Sequence, residues 1–117
     1  MKFDSHAMVL LVRPPDAPEF PEDEAARLQD AHLAHQSALY DRGLVVAAGP
    51  LRQQDDDRLR GVVLLSVDAE TARELYSQDP AVRAGWLAVQ VQTWMVPAGQ
   101  LSFNEVRLPA SAAEAQG

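Results

Sequence analysis

His32–Leu51 reads HLAHQSALYDRGLVVAAGPL, and its reading decides the fold. The first ten residues are good helix formers, and Gly43 is a natural stop for a helix ending near Arg42. Leu44–Ala48 is then short, apolar and β-branched, which predicts a strand closed by the Gly49-Pro50 turn. A helix feeding directly into a strand suits a compact mixed α and β domain.

Working outward, the helix is predicted to begin at Glu22, where Pro21 and the acids Glu22, Asp23 and Glu24 suit a first turn. Before it, Pro14–Pro21 holds four prolines and predicts a stiff, extended loop. Upstream again, Ala7–Val12 is an uninterrupted apolar run, as in a strand buried on both faces. On the other side, Val62–Val67 is a further strand, joined to the preceding one through the polar stretch Arg52–Arg60. The Asp55-Asp56-Asp57 run in that stretch lacks the spaced ligands of a calcium loop and reads as a solvated connection. Asp68 is placed to cap a second helix from Ala69 to about Gln78. Asp79-Pro80 restarts a short helical turn ending at Gly85, and Leu87–Val96 is the last strand. Residues 1–104 therefore read as one domain, and the Ala/Ser/Glu-rich segment 105–117 as a disordered tail.

The order strand, helix, strand, strand, helix, strand is that of an α+β, ferredoxin-like βαββαβ fold, with an antiparallel sheet and both helices on one face. Val62-Val63-Leu64-Leu65 is apolar on successive residues, so the second face of the sheet is also expected to avoid water. One layer of helices cannot cover both faces. The simplest solution is a homodimer with two sheets packed face to face, a dimeric α+β barrel.

Composition narrows the function. The 117 residues are 47% hydrophobic, contain no cysteine and carry a formal net charge of −7. Disulfides, thiol nucleophiles and zinc–thiolate sites are excluded. An acidic chain without a Lys/Arg cluster is not expected to bind nucleic acid. The longest early apolar run is too short for a signal segment or a membrane span, so a cytoplasmic location with no membrane partner is expected.

Two residues carry the chemical interest. On a wheel of about 100° per residue, Ala25, Leu28, Ala31, His32, His35 and Leu39 share one stripe of the first helix, the face expected to meet the sheet. Leu33 and Tyr40 fall on the other side, as if for a subunit contact. A histidine on a core stripe is more often structural than functional. The functional reading is that one lines a cavity and transfers protons there. His32 and His35 are also spaced i, i+3, but no third ligand follows, and the expectation is no metal. Asp79 before Pro80 is a helix cap in the ordinary reading. A capping carboxylate is also rigid enough to orient a histidine, and a His–Asp pair without a Ser or Cys nucleophile points to general acid–base work.

These residues resemble the YCII-related (YciI-like) family of small α+β proteins. The resemblance covers about residues 7 to 96. It rests on His32, on Gly43 eleven residues later, and on Ala48-Gly49-Pro50-Leu51. Gly61, Ala72, Asp79-Pro80, Ala84-Gly85 and a last strand closing on Trp94 complete it. It implies the dimeric barrel already reached and a His–Asp active site carried by His32 and Asp79. His35, which stands where the family commonly has an aromatic or aliphatic residue, and Trp94 are expected as substrate contacts. It also implies cofactor-free lyase or dehydrochlorinase chemistry on small ring compounds. Many members have Arg-Pro-Ala before the motif histidine, whereas this chain has Gln29-Asp30-Ala31. The phenylalanine common after Asp-Pro is Ala81, a change expected to enlarge the pocket.

Two readings follow. One is a cofactor-independent enzyme, lyase or isomerase in type, moving a proton on a small cyclic substrate. The other is a non-catalytic ligand-binding or accessory dimer. An open cavity at His32 favours the first, and a sealed, fully bonded His32 the second.

Overall fold

The computed structural model describes residues 1–116. Its main elements are β1 (Phe3–Val12), α1 (Glu22–Asp41), β2 (Val45–Pro50), β3 (Leu59–Leu65), α2 (Ala69–Ser77), α3 (Pro80–Arg83) and β4 (Ala88–Pro97). The strands form one antiparallel sheet in the order β2-β3-β1-β4. The α+β, ferredoxin-like arrangement is thus present, with the first and third strands central.

Local chemistry sets the element ends. Gly43 adopts φ +78° after α1, its N–H donating to Tyr40 O while Leu44 N–H donates to Leu39 O. That is a Schellman closure, whose left-handed residue favours glycine. It turns the chain straight into β2. Asp68 caps α2 by accepting from Thr71 N–H at 2.8 Å. β1 begins four residues earlier than its apolar run, because Phe3–His6 pair with Trp94–Pro97.

Pairing assigns side chains to faces, since directly opposed residues of an antiparallel ladder point the same way. Ala7, Val9 and Leu11 of β1 lie opposite Leu65, Val63 and Gly61 of β3. With Val45, Leu39, Ala72 and Tyr76 they form the core between sheet and helices. The alternate residues Met8, Leu10, Val62 and Leu64 are half-buried on the opposite face. Within one chain, β1 is therefore sealed on one face only.

The buried stripe of α1 is His32, Leu33, Gln36, Ser37 and Leu39, turned from the expected one. Leu33 and Tyr40 belong to the packed side, Tyr40 against the core, and not to an outer face. The reason is polar: Tyr76 Oη donates to Gln36 Oε1 at 3.1 Å, so a glutamine is accommodated where a hydrophobic pattern looks for an apolar residue.

The segment beyond Asn104, expected from composition to be disordered, folds back over α1. Val106 N–H donates to Tyr40 Oη at 2.8 Å, and Ala112 N–H donates to Asp30 Oδ1 at 2.8 Å. A last short helix, α4, spans Ala112–Gln116, and Gly117 lies outside the described residues. Side chains of α1 supply partners that composition does not reveal. Among the described residues, no helix is long and apolar enough to cross a membrane.

Leu65 is fully buried at the centre of the core. Leu65→Ala is expected to lower unfolding free energy by about 2–5 kcal/mol, through lost apolar contact and a residual void. Urea unfolding followed by circular dichroism measures it. A change under about 1 kcal/mol is inconsistent with this core.

Candidate active site

Asp79 is the N-cap of α3 and is wholly buried. Its Oδ1 accepts from Ala81 N–H at 2.9 Å, and its Oδ2 lies 2.5 Å from His32 Nδ1. Its backbone is tied on both sides, N–H to Tyr76 O and C=O to Arg83 N–H. A carboxylate removed from water needs such partners, and here one oxygen closes a helical turn while the other holds an imidazole. Both functions of Asp79 read from the sequence occur together.

His32 sits midway along α1 and is 5% exposed. With Asp79 as an acceptor, the proton of the neutral ring belongs on Nδ1, which leaves Nε2 as a lone-pair acceptor. Nε2 makes no hydrogen bond among the described residues, and His32 lies on the wall of a cavity of about 690 Å³. Leu33 and Gln36 extend that wall along α1, Leu11 and Gly61 come from the sheet, and Trp86 and Leu87 follow α3. A Cβ at Gly61 would stand 3.1 Å from Gly49 O, so any larger residue there would crowd the β2 backbone beside the cavity.

Tyr76 is buried beneath the pair. Burial first, and the Asp79 charge second, push its hydroxyl far above the ordinary tyrosine range. It stays protonated and donates to Gln36, which fixes another lining residue.

The structure does not bring His35 or Trp94 to this cavity. His35 Nε2 donates to Leu75 O at 3.0 Å, and its ring meets Tyr76 edge-on, so it serves the contact between α1 and α2. The two α1 histidines therefore face different partners. Trp94 pairs with His6 and shares its sheet face, the one away from the helices. Ala81 is buried and off the cavity wall, so the small residue there does not widen the pocket. Among the described residues, no three His, Asp or Glu side chains group as metal ligands.

The lining residues that escaped the sequence reading include Arg13, Gln36, Arg60, Trp86 and Arg107. Trp86 had a usable signal. Gly85 (φ +75°) ends α3 in a second Schellman closure, with Gly85 N–H on Val82 O and Trp86 N–H on Ala81 O. The residue after such a glycine is aimed by it.

Comparison with known proteins places this arrangement. A family model described as YCII-related domain matches residues 7–95. The chain belongs to the YCII-related family. Among solved structures, this YCII-related protein is similar to the 5-chloro-2-hydroxyhydroquinone dehydrochlorinase of Burkholderia phenoliruptrix AC1100, solved in complex with 2,5-dihydroxybenzoquinone. The likeness has a TM-score of 0.55 and 18% sequence identity, covering 76% of this chain and 92% of that one. At that identity it speaks for the fold. No curated protein shows a significant match.

Asp79→Ala removes a helix cap and leaves a buried histidine without its acceptor, and is expected to cost about 3–5 kcal/mol. Asp79→Asn keeps an oxygen for Ala81 N–H and should cost less. Thermal unfolding of both variants checks the order; equal losses would show that the oxygen kept by asparagine is immaterial and that the lost charge carries the whole cost.

Proposed function

We propose that this YCII-related protein is a cofactor-independent enzyme that moves a proton on a small, ring-shaped organic substrate, in a lyase or isomerase reaction. The observation that carries the reading is the buried His32–Asp79 pair, 2.5 Å apart, with His32 on the wall of a cavity of about 690 Å³ and Asp79 behind it. His32 is neither sealed on all sides nor bonded through both nitrogens, and this supports an enzyme over a purely structural pair. The small-molecule activity and ring ligand named for the dehydrochlorinase support the same reading.

His32 Nε2 takes a proton from a substrate carbon beside an electron-withdrawing group. The C–H electron pair passes into that group, or onward to expel a leaving group. Asp79 Oδ2 holds the Nδ1 proton throughout, so it fixes the tautomer and stabilises the imidazolium that forms. In isomerisation the proton returns to another substrate atom; in elimination it leaves with the departing group.

The active form is proposed to be a homodimer. Met8, Leu10, Val62 and Leu64 lie half-buried on the sheet face away from the helices. Trp94 on the same face is 37% exposed. His6 there has both ring nitrogens buried without a hydrogen-bond partner, beneath the edge of Phe103. A second sheet packed on this face removes the apolar surface from water.

A positioned base supplies about 10²–10⁴ in rate. His32→Ala should therefore lower kcat of the substrate identified by activity screening by that factor, measured where the variant is still folded, since loss of the donor to buried Asp79 also lowers the unfolding midpoint. Full retention of kcat would remove His32 from the mechanism. Light scattering during size exclusion should report about twice the chain mass, and a monomer at micromolar concentration would exclude the barrel.

A further inference from the structure

The cavity carries positive charge that the acid–base pair does not use. Arg13, Arg60 and Arg107 all line it, in a chain whose net charge is −7. Arg107 is matched by Glu114 at 3.4 Å. Neither Arg13 nor Arg60 has a carboxylate partner among the described residues; Arg60 Nη1 donates only to Asp57 O.

Arg13 immediately follows β1, where its N–H donates to Arg58 O at 2.8 Å. Its guanidinium carbon stands 4.2 Å from the centroid of the Trp86 ring, a cation–π stack that fixes the plane of the group. Stacking occupies a face and leaves the in-plane N–H groups unspent. Arg13 Nε is buried and has no hydrogen-bond partner at all. A buried, charged donor without an acceptor is costly, and native structures rarely keep one without a use.

Arg60 reaches the same place by a backbone irregularity. Leu11 pairs with Gly61, but the next residue, Val12, pairs with Leu59. Arg60 is therefore the extra residue of a β-bulge, a device that re-aims one side chain and is frequent beside active sites. The cost of the arrangement is visible at Arg13, where burial first, and the Arg60 charge second, lower the guanidinium pKa from its ordinary value. Two like charges that both line the cavity, with no carboxylate partner among the described residues, make that part of the wall suited to an anion from outside.

We propose that Arg13 and Arg60 form a carboxylate-binding subsite of the cavity, so that the substrate is a small organic acid. Its carboxylate is held by the two guanidinium groups at the β1–β3 bulge while its reacting carbon faces His32. A planar two-oxygen acceptor suits the in-plane donor edge that stacking on Trp86 leaves free. The sequence offers no glycine-rich phosphate loop to add the backbone donors that a phosphate would use. The substrate class rests on the acid–base reading above, but the subsite itself does not, because binding is measured without turnover.

Isothermal titration of the full chain with benzoate and with its neutral isostere benzamide tests the subsite. Benzoate should bind at least about tenfold more tightly than benzamide, a difference of one charged contact. Arg13→Met and Arg60→Met keep the aliphatic stems and should each bring the ratio to within about threefold. The wild-type comparison stands even if a variant fails to fold. Equal affinities, a benzoate preference that survives both replacements, or no benzoate binding up to about 50 mM would each overturn the proposal. Tighter binding of phenyl phosphate than of benzoate would also overturn it, in favour of a phosphoryl ligand. Loss of the acid–base reading appears instead as unchanged kcat in His32→Ala, and leaves this result standing.

Discussion

One buried carboxylate organises the helical layer. Asp79 has no contact with water, so its charge is tolerable only if both oxygens find donors. The donors come from two sources far apart in sequence, Ala81 N–H within its own turn and His32 Nδ1 from the middle of α1. The pairing docks α3 against α1 at a fixed distance, and α3 in turn launches Trp86 and β4. A shift of either element by an ångström would leave a charge and a ring unsatisfied together. The pair proposed to supply acid–base chemistry is thus also a clamp between elements. This is why the mild replacement, Asp79→Asn, is more informative about chemistry than removal of the side chain.

The cavity exists because backbone irregularities cluster around that clamp. The β-bulge at Arg60, the glycine at 61 and the left-handed Gly85 all lie on or next to its wall. The bulge and Gly85 depart from regular pairing and helix geometry and bring Arg60 and Trp86 to the wall, while Gly61 keeps its pairing and leaves the wall without a side chain at that point. The core beneath is regular by contrast: Ala7, Val9 and Leu11 alternate with strict period two and are all buried. The molecule thus sets a regular sheet beside an irregular rim, an arrangement that suits function carried at the rim of a fixed scaffold.

Much of this was legible in the sequence. Gly43 and Asp68 announced element ends by chemistry that acts within four residues, and Asp79-Pro80 announced the α3 cap in the same way. The element order followed, and the resemblance named His32 with Asp79 as partners. What failed depended on partners remote in sequence. The orientation of α1 turned on the Tyr76–Gln36 hydrogen bond, which no hydrophobic periodicity encodes. His35 looked equivalent to His32 until Leu75 O claimed its Nε2. Arg60 was hidden because a bulge is a property of two strands together, and Leu59–Leu65 alone shows only an arginine and a glycine at the head of an apolar run. The return of residues 106–112 over α1 depends on Tyr40 and Asp30, and composition carries no trace of such partners.

The division of labour inside the cavity follows from where each kind of charge is affordable. A histidine that must gain and lose a proton needs a rigid acceptor behind it, and the interior of the helical layer supplies one in Asp79. Guanidinium groups do not titrate in this role; they need an aromatic face and access to solvent between turnovers. Trp86 supplies the face for Arg13, and the exposed position of Arg60 supplies the access. Placing both functions on one element would set a permanent cation against an imidazole that must itself become cationic, and that repulsion would oppose proton transfer. In the proposed reaction, separation of the base on α1 from the cations at the β1–β3 edge would let a substrate anion screen the arginines while its reacting carbon approached Nε2.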